Sequence, residues 1–218
     1  MRMLNRGGVL NVPNVSFVDE DSSVRYLLKN IDPYNGHEYV DLGLSVKWAT
    51  CNIGASSPEE YGLYFAWGET TGYTAEQVTS GVRAFDEASY TASAISADLT
   101  LEEDAAHSYM GEGWRMPTKA EWKELVNNCD ATWTDDYNGT GVAGKVFTSK
   151  VNGNSVFLPA AGNIGPSGVY AVGMSGLYRL SSWYSSSNAW YFYFSDFNQS
   201  LRTDRARYYG YSVRGVCE

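Results

Sequence analysis

The chain has 218 residues and a formal net charge of −9 at neutral pH, with a pI near 4.7. It is long enough to bury a sizeable core in one domain and needs no staples. An acidic balance of this size argues against a nucleic-acid binder, which neutralises phosphates with clustered lysine and arginine. The acidity is uneven. From Tyr178 to Glu218 the arginines at 179, 202, 205, 207 and 214 face only Asp196, Asp204 and Glu218, so this stretch carries +2 and the preceding residues carry −11. The less acidic end is the part that favours contact with another molecule.

Residues 1–34 read as an appendage. Its opening, "MRMLNRGGVLNVPNVSF", has charge but no apolar run of signal-peptide length, and no later segment reads as able to span a bilayer. The expectation is a chain that stays in the cell that makes it, or leaves by lysis or as part of a particle. "NVSFVDEDSSVRYLLKN" reads as two short strand-like runs around Asp19 to Ser23, a hairpin that docks on the main domain or mediates assembly.

The body, residues 35–218, opens with "YVDLGLSVKWATCNIG", read as strand, turn, strand. In "SSPEEYG", Ser57 as N-cap and Pro58 at the first helical position predict a short helix. Residues 70–97 lack periodicity and read as a surface insertion with little structure of its own. "LEEDAAHSYMGEGWRMP" predicts a short helix closed by Gly111. "PTKAEWKELVNNC" carries the strongest local signal, a capping box from Thr118 and Glu121 with Trp122, Leu125 and Val126 on one helical face. Beyond it "KVFTSKVNGNSVFLPA" predicts two strands about Asn152-Gly153, a pair suited to a type I′ turn. The glycine-rich "AAGNIGPSGVYAVGMSG" reads as loop. A strand at 188–195, a turn near 196–200 and a last strand around 211–217 complete an α+β scheme.

The strand at 188–195 alternates: Trp190, Phe192 and Phe194 share one parity, Tyr191 and Tyr193 the other. This predicts an apolar face and a tyrosine face. Tyrosine offers rigid contact area at low entropic cost, serine and asparagine offer adaptable hydrogen bonds, and arginine adds forked and stacking contacts. The candidate ligand-binding residues before and within the strand are Tyr178, Arg179, Tyr184, Ser186, Asn188, Tyr191 and Tyr193. After it come Asp196, Asn198, Ser200, Arg202, Thr203, Asp204 and Arg205, then Tyr208, Tyr209 and Tyr211. The plain alternatives are tyrosines packed under a loop and charges that guard a sheet edge. Arg214 reads as one half of a structural ion pair, and Trp114, Arg115 and Trp122 as framework.

No catalytic constellation emerges. His37 and His107 are the only histidines, in no metal-ligand or triad-like pattern, and Cys51, Cys129 and Cys217 match no zinc or redox spacing. No cofactor and no metal are expected, and no calcium-loop pattern is present.

Taken together, "YVDLGLSVKWATCNIGASSPEEYGLYFAWGET", "GEGWRMPTKAEWKELV", "FLPAAG", "SSWYSSSNAWYFYF" and "RYYGYSVRGV" resemble, in order, the major paralogous domain family called FISUMP. The resemblance implies the C-type lectin-like fold, in the variant shared with formylglycine-generating enzymes and with variable proteins of diversity-generating retroelements. In those retroelement systems, adenines of a template repeat are miscopied, so that Tyr, Ser, Asn, Asp, Thr and Arg vary among fixed residues. Here Trp183, Trp190, Phe192, Phe194, Phe197, Gly210, Val213 and Gly215 would be the fixed scaffold. The implied function is a non-enzymatic binding protein, phage-borne or on an extracellular surface, similar in role to tropism determinants. Its partner would be a host or cell-surface protein or glycan, and homo-oligomerisation stays open. Two rivals remain: a fixed adhesin or structural module of the same family, and an oxidase of the formylglycine-generating type that uses a copper-binding cysteine pair.

Overall fold

The structure, a computed structural model, describes residues 34–218. The hairpin expected before Asp32 lies outside the described residues. The rest is α+β: antiparallel strands in several sheets with three short helices.

Strands β1 (Tyr39–Val40) and β2 (Lys47–Asn52) pair antiparallel, and β2 pairs on its other side with the last strand, β13 (Arg214–Cys217). The start of the described chain is thereby tied to its end. Strand β3 (Tyr64–Phe65) follows; no helix forms between, because Ser57 to Glu60 close a turn with Glu60 N–H donating to Ser57 O at 3.2 Å. The predicted helix start at Ser57 is thus a turn: Gly62, with φ +71°, and the short run to β3 leave no room to propagate. Residues 70–97 hold one helix, α1 (Ala75–Thr79), capped by Thr74 and Gln77. They are better anchored than their composition suggests: Arg83 Nη2 donates to both Glu69 carboxylate oxygens at 2.6 and 2.9 Å, Tyr90 donates to Trp67 O at 2.7 Å, and Phe85 is buried.

Helix α2 (Ala105–Met110) ends at Gly111, whose φ of +84° suits glycine. Helix α3 (Lys119–Asn128) starts at the expected box, with Glu121 N–H donating to Thr118 Oγ1 and Thr118 N–H to Glu121. It buries Trp122 and Leu125. Strands β4 (Cys129–Thr134), β5 (Gly144–Ser149) and β6 (Ser155–Pro159) form a second antiparallel sheet in that order. The β5–β6 connection is not type I′, since only Gly153 has positive φ. Asn152 instead donates to Asp41 O at 2.9 Å and accepts from Asn154 N–H at 3.0 Å, which fixes a longer loop.

The stretch read as loop after β6 contains a hairpin, β7 (Asn163–Gly165) and β8 (Gly168–Tyr170). Then comes the longest strand, β9 (Ser175–Trp183), buried along all but its last residue. It pairs with β10 (Ala189–Ser195), and β10 with β11 (Gln199–Arg202). Strand β12 (Tyr211–Ser212) joins β9 in parallel and β3 antiparallel, giving the order β11-β10-β9-β12-β3. The main core sits between this sheet, α3 and the β4-β5-β6 sheet. Trp122 stacks on Phe192 at 4.5 Å and meets Trp48 edge-on at 4.7 Å, with Phe147, Leu158, Tyr178 and Phe194 around them. Among the described residues no helix is long and apolar enough to cross a membrane.

Candidate ligand-binding surface

Strand β10 divides its side chains as the alternation predicts, with Phe192 and Phe194 entering the core and Tyr191 and Tyr193 on the other face. Registers place Tyr191 opposite Arg179 and Arg202, and Tyr193 opposite Leu177 and Ser200. These six residues therefore share the outer face of β9-β10-β11. That face is not open throughout, because residues 203–211 fold back across part of it. Asn188 Nδ2 donates to Thr203 O at 2.9 Å, and Arg207 N–H donates to Ser187 O at 3.0 Å. Beneath this strap Leu177, Tyr191 and Tyr211 form a small apolar cluster, with Tyr193 and Tyr209 packed against it.

Four of the expected ligand contacts are buried, three of them under the strap and one in the main core. Tyr178 has inward parity and donates to Pro159 O at 2.9 Å within the core. Tyr191 is 1% exposed and Tyr211 is fully buried. Arg179 is also fully buried; its guanidinium lies 4.0 Å from the Tyr211 ring centre and donates to the carbonyls of Ala206, Arg207 and Tyr209. Arg179 is thus the tie that holds the strap down. No ligand reaches Arg179, Tyr191 or Tyr211 without opening it, and Tyr178 lies in the core on the other face.

Two further arginines of the segment do the same kind of work. Arg207, buried against the Trp67 ring at 4.6 Å, donates to Ile95 O at 2.7 Å and to Ser185 O. Arg214 donates to Asn52 Oδ1, Ala49 O, Thr50 O and Phe157 O, so its expected ion pair is replaced by neutral acceptors that join β2, β6 and β13. Burial lowers the pKa of Arg179 and Arg214, since each cation is removed from water. Neutral carbonyls compensate through their dipoles.

What remains accessible is narrower and lies together. Arg202 stacks on the half-buried Tyr193 ring at 3.8 Å and donates through Nε to Ser200 Oγ at 3.0 Å. Tyr208 and Tyr209 stack with centres 5.2 Å apart and planes 18° from parallel, and the exposed Arg205 lies 5.8 Å from the Tyr209 ring. Exposed Asp204 accepts the Tyr191 hydroxyl at 2.7 Å. That bond, followed by the nearby Arg202 and Arg205 charges, outweighs desolvation and lowers the Asp204 pKa. The antiparallel bridge between Asn188 and Ala206 brings exposed Ser186 to the same end, across from Tyr208, while Asn188 holds the Thr203 carbonyl. Tyr184 is exposed there and meets Trp190 edge-on at 5.4 Å.

Asp196 and Asn198 stand apart, at the opposite end of β10, about 20 Å away by strand length. Between them Phe197, expected as scaffold, is 91% exposed. It occupies the β10–β11 turn, where Asp196 Oδ1 accepts its N–H at 2.9 Å and Lys145 Nζ donates to Asn198 O at 3.2 Å. Flanking Asp and Asn were the sequence signal for a turn tip, and a tip side chain points to water. Trp183, also expected as scaffold, is partly exposed where β9 ends, its N–H held by Asp98 at 2.7 Å.

Three clefts, of about 580, 600 and 300 Å³, are lined by other parts of the chain and by none of the predicted site residues. Cys217 pairs with Lys47, four residues along β2 from Cys51 and so about 13 Å from it, while Cys129 ends α3. The three thiols are free. Among the described residues no three His, Cys, Asp or Glu side chains gather as metal ligands would. Comparison with family models, with curated proteins and with solved structures finds no match to this chain.

Proposed function

We propose that the protein is a non-enzymatic binding protein with the C-type lectin-like fold, borne on a phage particle or another extracellular surface. Its site is the outer face of β9-β10-β11 with the strap that follows. The observation that supports this most is the division of labour inside residues 178–211. Buried Arg179 and Arg207 fix the backbone through carbonyls, while Tyr193, Arg202, Arg205 and Tyr208 remain reachable above them. A rigid frame beneath adaptable, aromatic-rich side chains is the composition and arrangement of recognition surfaces. The site is a face rather than a cleft, which suits a host or cell-surface partner better than a small substrate.

Diversification of this segment by a retroelement is part of the proposal. A second reading, a fixed surface, draws support from one feature: the side-chain bond between Tyr191 and Asp204 couples two positions that independent variation would part. Against the oxidase reading, Cys51 and Cys217 do not adjoin.

Labelled protein incubated with a panel of bacterial cells tests the binding function. Saturable binding that is lost in Tyr193→Ala/Tyr208→Ala is expected; absence of binding, or equal binding by the variant, overturns it. A near-identical C-terminal repeat beside the gene, differing only at adenines, separates the diversified from the fixed form.

A further inference from the structure

The reachable patch is cationic in a chain of net charge −9. Arg202 and Arg205 stand at its surface and Arg179 lies beneath, against a single carboxylate, Asp204. Among the described residues neither Arg202 nor Arg205 makes an ion pair, and the Nη nitrogens of Arg202 make no hydrogen bond. Below them Arg179 keeps Nε and Nη1 unpartnered, and so is the Tyr211 hydroxyl beside it. Buried Arg179 thereby adds positive potential beneath the patch, which favours an anion bound above it.

Each surface guanidinium lies by a tyrosine ring, Arg202 on Tyr193 and Arg205 by Tyr209, which itself stacks on Tyr208. A ligand that matches this pairing carries an anion fixed beside an apolar face. We infer that the patch binds a carboxylate-bearing glycan, an inference that deepens the binding reading above and rests on it. A sugar acid holds its carboxylate rigidly on a ring whose C–H face can lie on tyrosine, so fork and platform engage one unit together. An acidic peptide presents its carboxylate on a flexible stem, which loses rotamer freedom on binding and brings no apolar face. Planar carboxylate is also the group that a guanidinium fork fits in a bidentate manner.

Titration calorimetry of the full chain tests this with four probes: an oligogalacturonate, a sialylated oligosaccharide, a neutral oligosaccharide of matched length, and poly-glutamate. At least one of the two acidic sugars should bind about tenfold or more tighter than both controls, and salt should weaken it. Arg205→Ser should weaken that binding about tenfold, and Arg205→Lys should not restore it, because an ammonium lacks the fork. Melting temperature reports whether the variants fold. Poly-glutamate binding as tightly as the sugars overturns the inference in favour of an acidic peptide; no binding of either acidic sugar overturns it outright. The cell-panel assay keeps the two failures apart. If Tyr193→Ala/Tyr208→Ala abolishes cell binding while no acidic sugar binds, only the glycan inference falls.

Discussion

Tyr191 and Asp204 join a buried ring to an exposed carboxylate through a single hydroxyl bond of 2.7 Å. Burial first, then the bond to Asp204, pushes the Tyr191 pKa up to about 12, so the phenol stays a donor at neutral pH. Tyr191→Phe removes that donor without opening a cavity and should cost about 1 kcal/mol at neutral pH, by urea denaturation. Because the folded Asp204 pKa is depressed, the bond's contribution is fully present above the ordinary aspartate value near 4 and is lost as pH falls through the folded value. The difference between the two proteins should therefore hold from neutral pH to about pH 5 and shrink below about pH 4. A difference that instead shrank near neutrality would deny the bond its role. The arginines sort in the same way by what they touch. Arg179→Ala strips partners from three strap carbonyls and should cost about 3 kcal/mol, whereas Arg205→Ala, at the surface, should stay within about 0.5 kcal/mol. Equal effects in denaturant would show that the strap is not held from below.

At the level of the element, the helix start and the strand alternation carry different weights. Thr118→Ala removes one half of the box that opens α3 and should lower stability by about 1 kcal/mol. Glu121, the other half, also forks onto Arg115 at 2.6 and 2.9 Å. Burial works to raise its pKa, but Arg115 and Thr118 outweigh burial and hold it below the ordinary glutamate value. On β10, Phe192→Ala should cost about 3 to 5 kcal/mol, while Phe197→Ser at the turn tip should cost less than about 0.5 kcal/mol; paired thermal melts read both. The capping box and the Tyr/Phe alternation were legible in the sequence because each is a local pattern with a local cause. Strand β9 was not, since "SGLYRLSS" is buried on both faces and so shows no alternation, and an arginine in its midst looked like a surface residue. The hairpin of β7 and β8 was hidden because five glycines in that stretch read as loop, although Gly168, at φ +122°, is what lets it turn. The core face of the candidate site was legible for the same reason as β10. The strap was not, because its tie is a long-range bond from Arg179 to carbonyls of Ala206 to Tyr209, which no spacing in the chain announces.

On the scale of the whole molecule, frame and surface share one segment but not one set of residues, and that limits which positions can change. Among the described residues Ser186 and Tyr208 make no side-chain hydrogen bond to strap or core, Arg205 lies only beside the Tyr209 ring, and Asn198 only accepts from Ser195 Oγ at 3.4 Å within its own turn, whereas Arg179, Asn188, Tyr191 and Asp204 are joined to one another's loops. Randomising the first four should leave most variants folded, and randomising the second four should leave few. Displayed libraries challenged with protease and scored by survival read this directly, because cleavage follows the population of the opened state. Survival of the second library at the level of the first would mean that the strap is not cooperative with the sheet. The surface would then be a loose loop whose ordering on binding costs affinity. The opposite result fixes a mechanism for changing partners: the ordering cost is already met by buried arginines and carbonyls, so an exchanged surface side chain alters what is bound and leaves the fold intact.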